Sequence, residues 1–278
     1  MERSIQIAAA QRLRALHDRR QLLLLPNAWD AASACMLARL GFPAVATTSG
    51  GVAWSLGWAD GERLPLDEML AAVARITRVT PVPVTVDFEG GYGASPDQVH
   101  ANVTALIATG AVGINLEDGI AHARLRPIDA AAARIAAARA AANACGLPLV
   151  INARIDSWIV AGTANEQARI ADCLDRARAY LAAGADCIYP IALAEPAVIG
   201  RLCAAIDAPV NIGARTGMPA IAELARLGVA RVSTATRLAT RAYAAASDAA
   251  LAMRDSGHFD ALDSTFGYAD MQALFDAH

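Results

Sequence analysis

Short apolar runs alternate with longer helix-like stretches from one end of the sequence to the other, and no other feature limits the fold as much. The runs are 22–25, 44–47, 82–86, 112–116, 149–152, 186–189, 210–212 and 231–233. Between and after them lie stretches with helical content at 31–40, 66–79, 96–109, 128–145, 166–183, 196–206, 219–227 and 236–254. The runs are apolar on both faces, as strands covered on both sides by helices must be. Leu40-Gly41, Thr109-Gly110, Cys145-Gly146, Ala183-Gly184 and Leu227-Gly228 each supply a helix stop before the next run. Eight such units in 278 residues fit an α/β chain folded as a (β/α)8 barrel. A doubly wound sheet fits less well, because its first turn carries a glycine fingerprint and Pro26-Asn27-Ala28-Trp29-Asp30 has none.

No linker divides the chain, so residues 1–278 are read as one barrel domain, with 255–278 as a C-terminal helical extension. That extension carries Phe259, Phe266, Tyr268 and Phe275 in a chain with only 5% aromatic residues. Two readings stay open for it: packing on its own barrel, or contact with another subunit.

Composition removes whole classes of function. Hydrophobic residues make up 55% and charged residues 18%, which excludes a disordered chain. The net charge of −3 argues against nucleic acid as a partner. All 24 basic residues are arginine. Without lysine there is no Schiff-base aldolase, no pyridoxal-phosphate enzyme and no Walker A ATPase. Cys35, Cys145, Cys173, Cys187 and Cys203 form no CxxC and read as small buried hydrophobes rather than a disulfide framework or zinc site. The leucines at 22–25 stop at Pro26, too short for a signal core or membrane span, so a cytoplasmic protein with no membrane partner is expected.

Catalytic residues of such barrels stand where strands end at the C-terminal face. Those positions read Thr48-Ser49-Gly50-Gly51, Asp87-Phe88-Glu89-Gly90-Gly91-Tyr92-Gly93, Asn115-Leu116-Glu117-Asp118-Gly119, Asn152-Ala153-Arg154-Ile155-Asp156 and Asn211-Ile212-Gly213. Asp87 and Glu89 are two apart, and Glu117 lies one strand over. Crowded carboxylates repel unless protonated or metal-bound, and oxygen donors without His or Cys suit Mg²⁺, with Mn²⁺ as the alternative. Arg154 offers a planar fork for a carboxylate or phosphonate, or for an ion pair with one of those acids. Ser49-Gly50-Gly51 offers backbone N–H groups as an anion nest. Metal, anion donors and a fixed cation without a nucleophile–base pair suit an enolate formed from a 2-oxo acid.

These motifs resemble the isocitrate lyase / phosphoenolpyruvate mutase superfamily. The likeness runs from Pro26-Asn27-Ala28-Trp29-Asp30 to Ala230-Arg231-Val232-Ser233, and includes Leu56-Gly57-Trp58-Ala59-Asp60-Gly61. It implies a barrel whose last helix is exchanged between subunits of a homodimer or homotetramer. It implies Mg²⁺ at Asp87, with Asp60, Glu89 and Glu117 acting largely through water; Asp60 enters only through the resemblance. Thr48, Ser49, Gly50, Gly51, Trp29, Asn211 and Arg154 are the expected contacts to a small carboxylate substrate. Arg154, Asp118 and His122 are the expected catalytic groups.

The departures matter as much. The Lys-x-Cys-Gly lid of the isocitrate and methylisocitrate lyases is absent; the stretch here is 118–127, with His122 and Tyr92 as the only obvious replacement acids. Ile191 stands where those lyases place a Glu, and the mutase lid is missing too. The expectation is a Mg²⁺-dependent lyase of a 2-oxo or 2-hydroxy acid. Oxaloacetate-like decarboxylation leads and isocitrate-like cleavage is second. Phosphonopyruvate-type P–C cleavage and a non-catalytic 2-oxo-acid binder are the alternatives. Arg215 could bind a second carboxylate, but the favoured reading is a surface residue.

Overall fold

The structure is a computed structural model and describes residues 2–121, 123–160 and 165–276. In chain order the elements are α1 (Arg3–Leu16), β1 (Leu23–Leu25), β2 (Asn27–Ala28), α2 (Ala31–Arg39), β3 (Val45–Thr47), α3 (Ser49–Ser55), α4 (Leu66–Val79), β4 (Val84–Asp87), α5 (Pro96–Ala108), β5 (Gly113–Glu117), β6 (Gly119–Ile120), β7 (Arg124–Leu125), α6 (Ile128–Ala144), β8 (Val150–Ile155), α7 (Glu166–Ala182), β9 (Cys187–Pro190), α8 (Pro196–Ala205), β10 (Asn211–Gly213), α9 (Ile221–Arg226), β11 (Arg231–Ser233), α10 (Arg237–Ser256) and α11 (Tyr268–Ala273).

The strands close into the expected barrel. Six parallel strands run in the order β2-β3-β4-β5-β8-β9, and a second set runs β1-β11-β10. A parallel bridge from Ile188 to Val210 joins β9 to β10. On the other side Pro26 breaks the first strand in two. Proline cannot donate to a ladder, so β1 pairs with β11 below the break while β2 pairs with β3 above it. The Pro26 carbonyl still accepts from the Ala46 amide.

Local chemistry explains where the helices begin. Asp30 accepts from the Ser33 amide in a capping box at α2, Ser95 accepts from the Gln98 amide with Pro96 following it at α5, and Asn165 accepts from the Ala168 amide at α7. The ends use glycine: Gly41, Gly110, Gly146, Gly184 and Gly228 all have positive φ, a region that costs other residues a steric clash.

Three elements were not foreseen. The polar N-terminal stretch forms α1, which lies across the N-terminal end of the barrel. Its Gln6 side chain donates to the carbonyls of Ile107 and Ala111, and Leu13 is fully buried. Ser49-Gly50-Gly51 is the first turn of α3 rather than a loop. The stretch after Asp118 forms a small antiparallel hairpin, β6 with β7.

Part of the C-terminal extension packs on its own barrel, the first of the two readings left open for it. Leu274 packs against Cys35 and Val79 of the same chain. In contrast, α10 buries only Ala239, and Tyr243, Leu251, Phe259, Leu262, Phe266 and Tyr268 are exposed. Among the described residues no helix is long and apolar enough to cross a membrane.

Candidate active site

Strand register brings the key side chains together. Asp87 ends β4 beside Asn115 of β5, and Glu117 ends β5 beside Arg154 of β8. Side chains two apart on a strand share a face, so Asn115 lies below Glu117 and Asn152 below Arg154. A cavity of about 190 Å³ opens at this face, and Thr48, Ser49, Asp60, Asp87 and Arg154 all line it, as expected. Asn27, Asn115, Tyr189, Ser233 and Thr236 complete its polar wall; the sequence reading did not single them out. For Asn115 the signal was the same period of two.

Arg154 is buried and held from both sides. Its Nη1 lies 2.6 Å from Glu117 Oε2, while Nε and Nη2 donate to Asp156 Oδ1 and Oδ2 at 2.7 and 2.9 Å. Burial alone would lower its pKa; Glu117 and Asp156 outweigh burial and keep the guanidinium charged. Asp156 is thus a site residue that went unchosen. Asp118 was chosen instead, and the structure turns it away from the cavity. Its carboxylate accepts from Tyr180 Oη at 2.6 Å, Arg176 Nη1 at 3.1 Å and the Asp156 amide at 2.9 Å. Residue 118 follows Glu117 by one, so the strand pleat sends it to the opposite side. It supports Asp156 rather than facing a ligand.

The four expected metal acids do not meet at one point. Asp60 and Asp87 share the first cavity, whereas Glu89 and Glu117 line an adjoining one of about 200 Å³ with Glu62 and Arg126. Glu89 has φ +47°, which directs its carboxylate to the Glu62 amide at 2.6 Å and Tyr92 Oη at 2.8 Å. Burial, reinforced by Asp87 and Asp60, pushes its pKa up to about 7. Glu117 is likewise pushed up by burial, against the opposing pull of Arg154. Among the described residues no three His, Cys, Asp or Glu side chains form a ready cage for a metal.

The remaining donors still fit a hard cation that keeps much of its water. Asp60 Oδ1 is buried without a hydrogen-bond partner. Asp87 Oδ2 accepts from the Ser49 amide and hydroxyl at 3.3 and 3.1 Å, and its Oδ1 has only a long contact of 3.4 Å with Asn115. One or two carboxylates with water is how Mg²⁺ is commonly bound.

Other expected contacts sit behind the wall. The Ser49 amide is occupied by Asp87, so this turn is no free anion nest. A Cβ on Gly50 would lie 3.1 Å from Asp60 Oδ2, and one on Gly51 would lie 2.7 Å from Trp29 Cβ. Both glycines permit close packing, and Trp29 packs beside Gly51 instead of lining the cavity. Asn211 is fully buried below and exchanges hydrogen bonds with Ser233, which does reach the cavity. Tyr92 is committed to Glu89, and His122 lies outside the described residues.

Comparison with known proteins agrees with this geometry. The family model for phosphoenolpyruvate phosphomutase matches residues 13–254. A crystal structure from Burkholderia cenocepacia J2315 is 43% identical and superposes with a TM-score of 0.83 over 86% of this chain and 98% of that one. The 2-methylisocitrate lyase of Salmonella typhimurium is 33% identical, covering 72% of this chain and 68% of its own. An oxaloacetate decarboxylase of Rhodopseudomonas palustris is 31% identical over 57% of this chain and 54% of its own. The chain belongs to the phosphoenolpyruvate phosphomutase family and is an enzyme of the isocitrate lyase / phosphoenolpyruvate mutase superfamily.

Proposed function

We propose that this enzyme is a Mg²⁺-dependent lyase that breaks a C–C bond in a small 2-oxo or 2-hydroxy carboxylate, leaving a pyruvate-type enolate. Decarboxylation of an oxaloacetate-like acid is the favoured reaction and isocitrate-like cleavage comes second. The observation that carries this reading is the single small cavity in which a clamped, fully charged Arg154 stands with Asp87 and the unpartnered Asp60 oxygen. Asp87 would hold the cation directly and Asp60 through water, with Glu89 and Glu117 behind them. When bound, the ion supplies Lewis-acid stabilisation of the developing enolate oxygen.

The chain's own groups do the rest. Arg154 binds the substrate carboxylate, and because Asp156 and Glu117 fix its plane, little side-chain freedom is lost on binding. Thr48, Ser49 and Asn115 orient the acid. Decarboxylation needs no base, only a later proton. Tyr189 lines the cavity and burial keeps its phenol protonated, so its O–H would donate to the enolate carbon and regain a proton from water. The reading also takes the exposed apolar face of α10 to be covered by a second copy of the chain, as a homodimer or homotetramer.

The test is pyruvate release from oxaloacetate, isocitrate, 2-methylisocitrate, citramalate and phosphonopyruvate, with Mg²⁺ and with EDTA. Turnover of a carbon acid that is lost with EDTA and in Arg154→Ala supports the lyase. Turnover of phosphonopyruvate alone replaces it with P–C cleavage. Binding of a 2-oxo acid without turnover replaces it with a binding protein.

A further inference from the structure

The last strand, β11, carries an arginine into the barrel interior. Arg231 is fully buried, and among the described residues no carboxylate pairs with it. A buried cation without a counter-charge is costly to keep, so its contacts matter. Its Nη1 lies 3.4 Å from His17 Nε2. His17 Nδ1 lies 2.8 Å from the Leu13 carbonyl, so Nδ1 carries the ring proton. Burial holds the ring neutral, which leaves Nε2 free to accept from the guanidinium. The helix α1 thus anchors Arg231 from one side.

On the other side Arg231 reaches Asn115, which lines the active-site cavity. An asparagine amide has a donor end and an acceptor end, and either can face a site. Here Arg231 Nη2 and Asn152 Nδ2 converge on Asn115 Oδ1 at 3.3 and 2.8 Å. Asn115 Nδ2 is thereby turned to Asp87, whose Oδ1 lies 3.4 Å away. The two donors differ in kind. Asn152 can turn over and accept, since its own Oδ1 is buried without a partner. Arginine has no acceptor, so turning the Asn115 amide would set donor against donor beside a full charge. Asp87 favours the same orientation, but 3.4 Å is long for a hydrogen bond.

We propose that Arg231 is a positioning residue that locks the Asn115 amide with its N–H groups toward the active-site cavity. The wall then offers a donor at this point and selects a ligand oxygen that accepts. Arg231 does not line the cavity itself and acts through Asn115. The inference rests on the proposed reading of that cavity and deepens it. The carbonyl of a 2-oxo acid can only accept, whereas the hydroxyl of a 2-hydroxy acid also donates. A locked donor therefore favours the 2-oxo acid, and an amide free to turn does not.

The experiment compares pyruvate with lactate, which share a carboxylate and differ in the oxygen at carbon 2. Both are titrated by calorimetry with Mg²⁺ into the full chain, as wild type and as Arg231→Met. The wild type should bind pyruvate more tightly. In Arg231→Met the ratio of pyruvate to lactate affinity should fall by about tenfold, the size of one misplaced hydrogen bond in a buried site. A role in stability alone would weaken both acids alike; an unchanged ratio overturns the inference. So does a wild type that binds both acids without preferring pyruvate, and in either case the proposed reading of the cavity stands. Neutron diffraction from wild-type crystals soaked in D₂O locates the Asn115 amide deuterons directly. They should face Asp87; deuterons facing Arg231 overturn the lock. If Arg231→Met does not fold, the neutron map decides. If neither acid binds the wild type, the reading of the cavity fails, and the map again decides the lock by itself.

Discussion

At the N-terminal end of the barrel, five turns that lead from a helix into a strand place glycine in the left-handed region: Gly41, Gly110, Gly146, Gly184 and Gly228. At the C-terminal end, Glu62, Glu89, Tyr92, Ala121, Ala192 and Ala235 have positive φ with a side chain in place. Such a residue costs roughly 1–2 kcal/mol relative to an unstrained one. The N-terminal turns therefore relieve the backbone with glycine, whereas the mouth mixes glycine, at 57, 61, 91 and 217, with residues that retain the strain. The mouth does so where it gains position: Glu89 turns to the Glu62 amide, and Ala192 presents its carbonyl to Arg215. The charges follow the same division. At the mouth Arg154 is paired with two acids. Deep in the barrel Arg231 is fully buried, with His17 Nε2 at 3.4 Å and Asn115 Oδ1 at 3.3 Å, and burial lowers its pKa.

The largest effect should come at the mouth. Arg154→Ala is expected to lower kcat/KM on whichever acid is turned over by about a thousandfold, as loss of a preorganised charge does. It should also cost about 3–5 kcal/mol of stability, because the buried Glu117 loses its counter-charge. Steady-state kinetics and urea unfolding measure both. Arg154→Lys should restore part of the stability and little of the activity, since it keeps the charge without the fork. A fully active Arg154→Ala variant would end the functional contrast between the two ends.

The next effect belongs to the opposite end and depends on pH. Burial, helped by Arg231, lowers the His17 pKa from 6.5 to about 4. On acidification the unfolded chain takes up this proton first. The contribution is complete above pH 6.5 and falls by about 3 kcal/mol as the pH drops to 4. Urea midpoints at pH 7 and pH 4.5 should show the loss, and His17→Asn should flatten it. An unchanged slope in His17→Asn would remove His17 from the account.

Exchanging the turns tests the strain directly. Gly184→Ala should destabilise by about 1–2 kcal/mol, because φ is +103° and the new Cβ would meet Arg139 Cγ at 2.8 Å. The smallest change is expected for Ala192→Gly at φ +65°. Relief of strain and the entropy of glycine nearly offset each other, so stability should move by less than about 1 kcal/mol. If Ala192→Gly destabilised as much as Gly184→Ala, the two ends would not differ in stored strain.

The barrel was largely legible in the sequence because its signals are local. The run at 231–233 coincides with β11, and the run at 112–116 is displaced by one residue from β5. The run at 149–152 stops short of the true end of β8 at Ile155. Arg154 reads from the sequence as a strand-end fork for an anion or an ion pair, and the structure pairs it with Glu117 on another strand and with Asp156. The site was legible as a set of strand ends, but not in its orientations. Choosing Asp118 over Asp156 ignored the pleat, which the spacing alone could have supplied. The separation of Glu89 from Asp87 could not be read, since it follows from a left-handed φ that no residue type announces. The helix α1 went unnoticed because its partners, the carbonyls of Ile107 and Ala111, are a hundred residues away in the chain.

That helix has a consequence for water. Leu13 fills the floor of the barrel, and His17 reaches the Nη1 of Arg231 from the same side. Removing residues 2–20 is therefore unlike trimming a tail. It would uncork the barrel from beneath and wet a guanidinium that the intact protein keeps dry.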